Sequence, residues 1–312
     1  MTGGSVVTVG SFDGVHLGHQ ALLAALRAEA EQRDGRSVLV TFEPHPASVL
    51  APQRAPRRLT PAAERAEIVA ELGLDRMLVL RFDPALAALS AGQFVREVLL
   101  ERCGMRALVI GANHRVGRGG DGDSSALVEL GRRLGFAVRV IPPVPDAEGA
   151  PISSTGIRVA LDQGELRAAA RWLGRPYRIS GRVVPGAGRG RTIGIPTLNL
   201  EGPPDEKALP PDGVYAGWVE WGGGTAAAML NQGPRPTVGD ARRSLEAHLF
   251  DWDGDLYGRT VRVEWVERLR DIRRFGSLEA LRAQLEQDRE RALAVLGRPT
   301  HDLNGAPPRG AR

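Results

Sequence analysis

Two histidines three residues apart, His16 and His19, lie in the run Gly10-Ser11-Phe12-Asp13-Gly14-Val15-His16-Leu17-Gly18-His19-Gln20. An apolar stretch, Val6-Val7-Thr8-Val9, precedes it, and Ala21-Leu22-Leu23-Ala24-Ala25-Leu26 follows with helical spacing. The pattern is strand, glycine-bearing turn, helix start. Backbone N–H groups at a helix start lack intrahelical partners and carry partial positive charge, and glycine lets an anion approach the backbone closely. Side chains three apart share a helix face, so both imidazoles can bear on one phosphate undergoing substitution. The chain has six histidines, and two of them are here.

Other polar clusters could complete such chemistry. Ile152-Ser153-Ser154-Thr155 precedes Ile157-Arg158-Val159-Ala160-Leu161, which reads as a capped helix start. Its hydroxyls and Arg158 can grip a second part of a polyphosphate. Later, Gly186-Ala187-Gly188-Arg189-Gly190 opens a glycine-rich loop that ends in Pro196-Thr197-Leu198-Asn199. Loop amides can nest around phosphate, with Gly188 and Gly190 allowing close approach. In an extended segment Thr197 and Asn199 point the same way, offering a hydroxyl and an amide oxygen as hard ligands for Mg²⁺. Glu246, in the alternating run Leu245-Glu246-Ala247-His248-Leu249, can take a proton from a hydroxyl.

These residues must be held by two different frameworks. Strands are expected at 6–9, 38–42, 77–80, 108–111 and 138–141, with helices near 20–33, 61–72, 91–102 and 124–134. That alternation gives an α/β, Rossmann-like, doubly wound parallel sheet, whose ligands collect at the carboxyl ends of strands. From 178 to 266 short alternating segments between Gly, Pro and Asp turns predict an antiparallel β-barrel. A C-terminal helix over 277–296 should pack on the barrel through Leu278, Leu281, Leu285, Ala292 and Leu296. The expected domains are 1–174 and 175–298, followed by a flexible tail, 299–312.

Composition narrows the field. The chain has 312 residues, 42% of them apolar and 25% charged, as in an ordinary globular protein. No apolar run is long enough for a membrane span and no secretory leader is visible, which leaves the cytoplasm as the expected location. The net charge of +4 is too slight to imply nucleic acid as a partner. Cys103 is the single cysteine, so no internal disulfide or thiolate metal cluster can form, and it reads as a packed, inert thiol. Lys207 is the only lysine, which excludes a phosphate loop of the GxxxxGKS/T type. Asp121-Gly122-Asp123 and Asp251-Trp252-Asp253-Gly254-Asp255 lack the spacing of calcium loops and read as a flexible loop and a hairpin turn. His45 and His248 are expected in local hydrogen bonds, His45 within reach of a nucleotide. The sequence leaves the oligomeric state open.

The forms HxGH and ISSTxxR, about 135 residues apart, resemble the nucleotidyltransferase superfamily. The glycine loop with PTxN, GVYAG at 213–217, LExHL around Glu246 and DLYG at 255–258 resemble the riboflavin kinase module. Joined at LGRPY, the two resemble the bacterial bifunctional riboflavin kinase/FAD synthetase family over nearly the whole chain. That resemblance implies phosphorylation of riboflavin to FMN by ATP in the second domain and adenylylation of FMN to FAD in the first, with pyrophosphate released. It implies Glu246 as the kinase base, Thr197 and Asn199 on Mg-ATP, and His16, His19 and Asn113 at the reacting centre of the first domain. Gly10, Phe12, Asp13, Gly18, Ser153, Ser154, Thr155 and Arg158 would bind nucleotide there. Phe42, Tyr215, Arg270 and Phe275 would bind flavin.

One segment departs from the family pattern. Where members carry GxDFxFG, this chain has Gly111-Ala112-Asn113-His114-Arg115-Val116-Gly117, so His114 and Val116 replace both phenylalanines. Valine cannot stack on a flat isoalloxazine ring. Three readings stand at this point: the bifunctional enzyme; a working kinase joined to a transferase domain that is inactive or uses another nucleotide or acceptor; and a non-enzymatic flavin or nucleotide sensor.

Overall fold

In a computed structural model the chain is described over residues 4–186, 190, 194–234 and 243–297. Gly188 and the tail from 299 lie outside these residues. The chain divides into two compact units, one of Met1–Arg158, Trp172–Gly174 and Glu206–Ala208, the other of Val159–Arg171, Arg175–Asp205 and Leu209–Arg312.

The first unit is built on strands β1 (Ser5–Val9), β2 (Arg36–Glu43), β3 (Arg76–Arg81), β4 (Met105–Gly111) and β5 (Ala137–Ile141). They pair in parallel in the order β3-β2-β1-β4-β5. The connecting helices are α1 (Leu17–Gln32), α2 (Ala62–Glu71), α3 (Ala91–Phe94, continuing as a π-helical stretch Val95–Arg102) and α4 (Ser124–Leu134). Alternate strand residues feed opposite faces. Val7 and Val9 join Phe94, Val98 and Leu127 in one core, while Val6 joins Leu22, Leu23, Leu26 and Ile68 in the other. Cover on both faces explains why β2 reads as a continuous apolar run. The strand order reverses at β1 and β4, which opens a crevice between their carboxyl ends.

Asp121 and Asp123 are tied into the fold by hydrogen bonds. The Asp121 carboxylate accepts from the Ala91 amide at 3.1 Å and Asp123 caps α4 at Ala126 N, 2.8 Å. Two further helices follow, α5 (Ser154–Asp162) and α6 (Leu166–Leu173).

In the second unit six antiparallel strands close a barrel: β6 (Tyr177–Val184), β7 (Leu198–Leu200), β8 (Gly213–Trp221), β9 (Gly224–Pro234), β10 (Arg243–Leu249) and β11 (Thr260–Arg270). Their order is β8-β9-β10-β7-β6-β11, with β11 pairing back on β8. Strand β7 was not among the expected segments, because three residues after a glycine-rich loop show no alternation. Helix α7 (Leu278–Leu296) packs on the barrel through Ala292, Leu285, Leu293 and Leu296. Leu278 is instead 44% exposed, and the buried face includes Asp288. Strands β10 and β11 are not neighbours in the barrel, so residues 251–259 form a crossing loop and not the expected hairpin turn.

Candidate active sites

The turn after β1 is strained and tied down. Phe12, Gly14 and Val15 have φ of +48°, +84° and +41°, a left-handed region that costs a β-branched residue most. The buried Asp13 carboxylate holds it: Oδ2 accepts from Leu59 N at 3.1 Å, and Oδ1 from Thr60 N at 2.9 Å and Thr60 Oγ1 at 3.3 Å. Arg158 Nη2 donates to Oδ2 at 2.5 Å and Gly14 N to Thr60 Oγ1 at 2.8 Å. His16 then caps α1, its Nδ1 accepting from His19 N at 3.4 Å. That places the proton of the neutral ring on Nε2. The His16 and His19 rings stack at 3.7 Å between centroids, and Phe12 lies 4.9 Å from His19. A Cβ on Gly18 would come within 3.1 Å of His16 Cε1, so glycine keeps that ring in place.

Both imidazoles face a cavity of about 570 Å³ at the carboxyl edge of the sheet. Gly10, Phe12, His16, Gly18, His19, Phe42 and Asn113 line it, as the sequence led us to expect, and so does His45. His19 Nδ1 is buried and has no hydrogen-bond partner among the described residues. Burial holds the His19 pKa well below the usual histidine value, with His16 adding to the effect. Burial also pushes His114 down to about 4. His45 is lowered, first by burial; Asp13 opposes this, and Arg58, Arg158 and Arg65 reinforce it. Its Nδ1 accepts from Ala47 N at 3.1 Å.

The ISSTxxR segment meets the turn but serves the protein's own backbone. Ser153 Oγ accepts from Gly156 N at 3.2 Å as a helix cap, and Ser154 Oγ donates to Asp13 O at 2.8 Å. Arg158 spans Arg57 O and Asp13. Asp13 and residues 153, 154, 155 and 158 are not among the described lining residues; only Ile152 of that segment is. The polar atoms of Asp13 and Ser154 bond each other's chain segments, an arrangement that positions the turn. Ser153 and Thr155 stay exposed.

An aromatic wall escaped sequence reasoning. Phe82, just past β3, lines the cavity and meets Phe42 edge-on at 5.5 Å. Its position at a strand's carboxyl end was the signal that could have found it.

In the barrel, Glu246 on β10 lies opposite Asn199 on β7, and Thr197 Oγ1 is 3.4 Å from Glu246 Oε2. The expected trio is thus assembled. The His248 ring bonds Pro196 O at 2.8 Å, supporting the same segment. Thr197 lines a cavity of about 320 Å³ with Trp252, Asp253, Gly254, Asp255, Leu256 and Tyr257. The loop misread as a hairpin is therefore a cavity wall. A Cβ on Gly190 would lie 2.2 Å from Ile195 O, which requires glycine there.

The flavin residues expected in this unit are not among those lining this cavity. Tyr215 is fully buried with its hydroxyl on Pro211 O, so its ring offers no face to a ligand. Arg270 is committed to buried Asp288 on α7, with Nε and Nη2 both at 2.8 Å. Phe275 lies under the guanidinium groups of Arg270 and Arg273, at 5.7 and 5.0 Å. Tyr215 and Arg270 both make structural ties within this unit.

Comparison with known proteins agrees with this geometry. A family model described as FAD synthetase matches residues 1–156, and one described as riboflavin kinase matches 173–296. A bifunctional riboflavin kinase/FMN adenylyltransferase of Escherichia coli K12 is 40% identical, covering 94% of this chain and 93% of its own. Its Bacillus subtilis counterpart is 34% identical, covering 93% and 92%. A crystal structure titled a macrolide-efflux protein from Streptococcus pneumoniae superposes with a TM-score of 0.84 at 32% identity, covering 96% of each chain. With both family models matched in tandem and relatives aligned nearly end to end, the chain belongs to the bifunctional riboflavin kinase/FMN adenylyltransferase family.

Proposed function

We propose that the cavity at the carboxyl edge of the parallel sheet performs the adenylylation of FMN, and that the Thr197–Asn199–Glu246 cluster performs the phosphorylation of riboflavin. The division 1–174 and 175–298 is proposed as the functional one. The observation that carries the first half is the stacked His16–His19 pair at the start of α1, with both residues lining the cavity. A phosphate oxygen of FMN attacks the α-phosphorus of ATP, the bond to pyrophosphate breaks, and the imidazoles with the amides of α1 stabilise the charge that spreads over the phosphoryl oxygens. Phe42 and Phe82 supply apolar flanks for the flavin ring, where the β4 loop carries His114 and Val116. In the barrel, Glu246 accepts the proton of the riboflavin hydroxyl that attacks the γ-phosphorus, and ADP leaves.

Hard oxygens of Thr197 and Asn199, opposite a carboxylate, suit Mg²⁺, which usually keeps few protein ligands and bridges phosphates. Bound there, Mg²⁺ would neutralise phosphate charge. A cytoplasmic location is proposed with it, since both reactions draw on ATP. The sites of this chain offer phosphate chemistry and not a transport path. Among the described residues no helix is long and apolar enough to cross a membrane.

The test is product identification by mass. With Mg²⁺, riboflavin and ATP the protein should give FMN and then FAD. The His16→Ala, His19→Ala double variant should stop at FMN, and Glu246→Gln should make FAD only from supplied FMN. FMN accumulation without FAD from the unaltered protein, or FAD analogues formed only with CTP or GTP, would refute the first half.

A further inference from the structure

The only lysine of the chain has no place in the chemistry above, yet it is fully buried. Lys207 lies within the stretch matched by the riboflavin kinase model, but Glu206–Ala208 groups with the first unit. There it bridges Arg58 like a one-residue strand: Arg58 N donates to Glu206 O at 2.6 Å and Ala208 N to Arg58 O at 2.7 Å. Its Nζ donates to Leu59 O at 2.8 Å and forms an ion pair with buried Glu64 on α2. The other side of the same peptide segment carries the turn, because Leu59 N and Thr60 N both donate to Asp13. Leu59 Cδ1 also stands 2.8 Å from where a Cβ on Gly14 would be, so the segment sets the space for that turn.

We propose that Lys207 is a positioning residue for adenylyl transfer: by fixing the Leu59 carbonyl and anchoring 58–60 to α2, it holds the Asp13 turn that presents His16 and His19. It touches no substrate. A charged amine is suited to this because burying it is tolerable only with an anion and a carbonyl in fixed places, which makes the arrangement specific. Because Lys207 falls inside the kinase match, its sequence position points to the other activity, and the two activities of one chain therefore discriminate. The inference rests on adenylylation occurring at the β1–β4 cavity. FAD formation from FMN by the unaltered protein tests that reading separately.

The experiment uses the full chain with Lys207→Met, Lys207→Arg, Asp13→Asn and the Lys207→Met, Asp13→Asn double variant. FAD formation from FMN and FMN formation from riboflavin are measured on the same preparations. Lys207→Met is expected to lower kcat for FAD formation at least tenfold, with KM for ATP and FMN within about threefold and riboflavin phosphorylation within about twofold. The kinase rate is the control for the second unit, and a calorimetric transition of the first unit that lies wholly above the assay temperature is the control that this unit is folded. Lys207→Arg, which keeps the charge and donors, should recover part of the lost kcat. In the Asp13→Asn background Lys207→Met should add less than threefold, because both act through one segment. Parallel loss of both activities, effects that simply multiply in the double variant, or an unchanged kcat would each overturn the proposal.

Discussion

Asp13→Asn separates two accounts of the turn. If Asp13 touched nucleotide, as its place in the motif suggested, the variant would bind ATP poorly and remain as stable as its parent. The structure leads to the opposite result. Asparagine keeps the shape but turns one acceptor oxygen into a donor. At the Oδ2 position the new NH₂ would face Leu59 N–H and the Arg158 guanidinium, both donors. The loss comprises two hydrogen bonds to a carboxylate, each worth roughly 1.5–3 kcal/mol. Removing one partner of a buried ion pair costs roughly 3–5 kcal/mol. The Arg158 side chain is 16% exposed and keeps its bond to Arg57 O, so the lower end applies, about 3 kcal/mol. For a unit of this size that lowers Tm by roughly 6–12 °C.

Freed of its ties, the turn can relax its positive φ angles, and His16 moves with it. Misplacing a reacting group by about 1 Å can cost on the order of 100-fold in rate. Differential scanning calorimetry and steady-state FAD formation from FMN are the assays. The expected result is a lowered Tm, a collapse in kcat and little change in KM for ATP. A Tm within 2 °C of the parent, as a rough experimental margin, together with a tenfold rise in KM for ATP would refute the positioning role.

Two further outcomes follow from the same structure. Burial holds His114 at about 4 against a usual 6.5, so the unfolded chain binds a proton between those values that the folded chain refuses, and stability falls as pH drops through that window. At pH 5 the penalty relative to pH 7 is roughly 1–2 kcal/mol, reduced by the partial exposure of the ring, and His114→Phe should flatten the Tm-versus-pH slope there. His19 and His45 shift the same way, so some slope must persist in that variant. In the second unit, Asp288→Ala strands Arg270 without its anion and should lower Tm by several degrees through loss of the α7 anchor. A higher KM for riboflavin with no change in Tm would return Arg270 to the flavin site.

The parallel sheet was legible because its central strands β1, β2 and β4 are buried on both faces and apolar strands alternate with helical stretches, and the polar clusters after β1, β2 and β4 were legible because ligands gather at such ends. What sequence could not show was which polar atoms are already spent. Asp13, Ser154 and Arg158 carry the right chemistry for phosphate but bond one another's segments, and Arg270 and Tyr215 are consumed within the barrel. Lys207, useful in the sequence only to exclude a phosphate loop, is part of a hydrogen-bonded chain that runs through partners about 145 residues away, beyond any local pattern. The altered β4 loop shows the same limit in reverse. Compared position by position, His114 and Val116 read as the loss of a stacking surface. A planar ring, however, is indifferent to which strand supplies its flank. Phe82, just past β3 and set edge-on to Phe42 from β2, adds to Phe42 an aromatic wall that a comparison of the β4 loop alone does not reach.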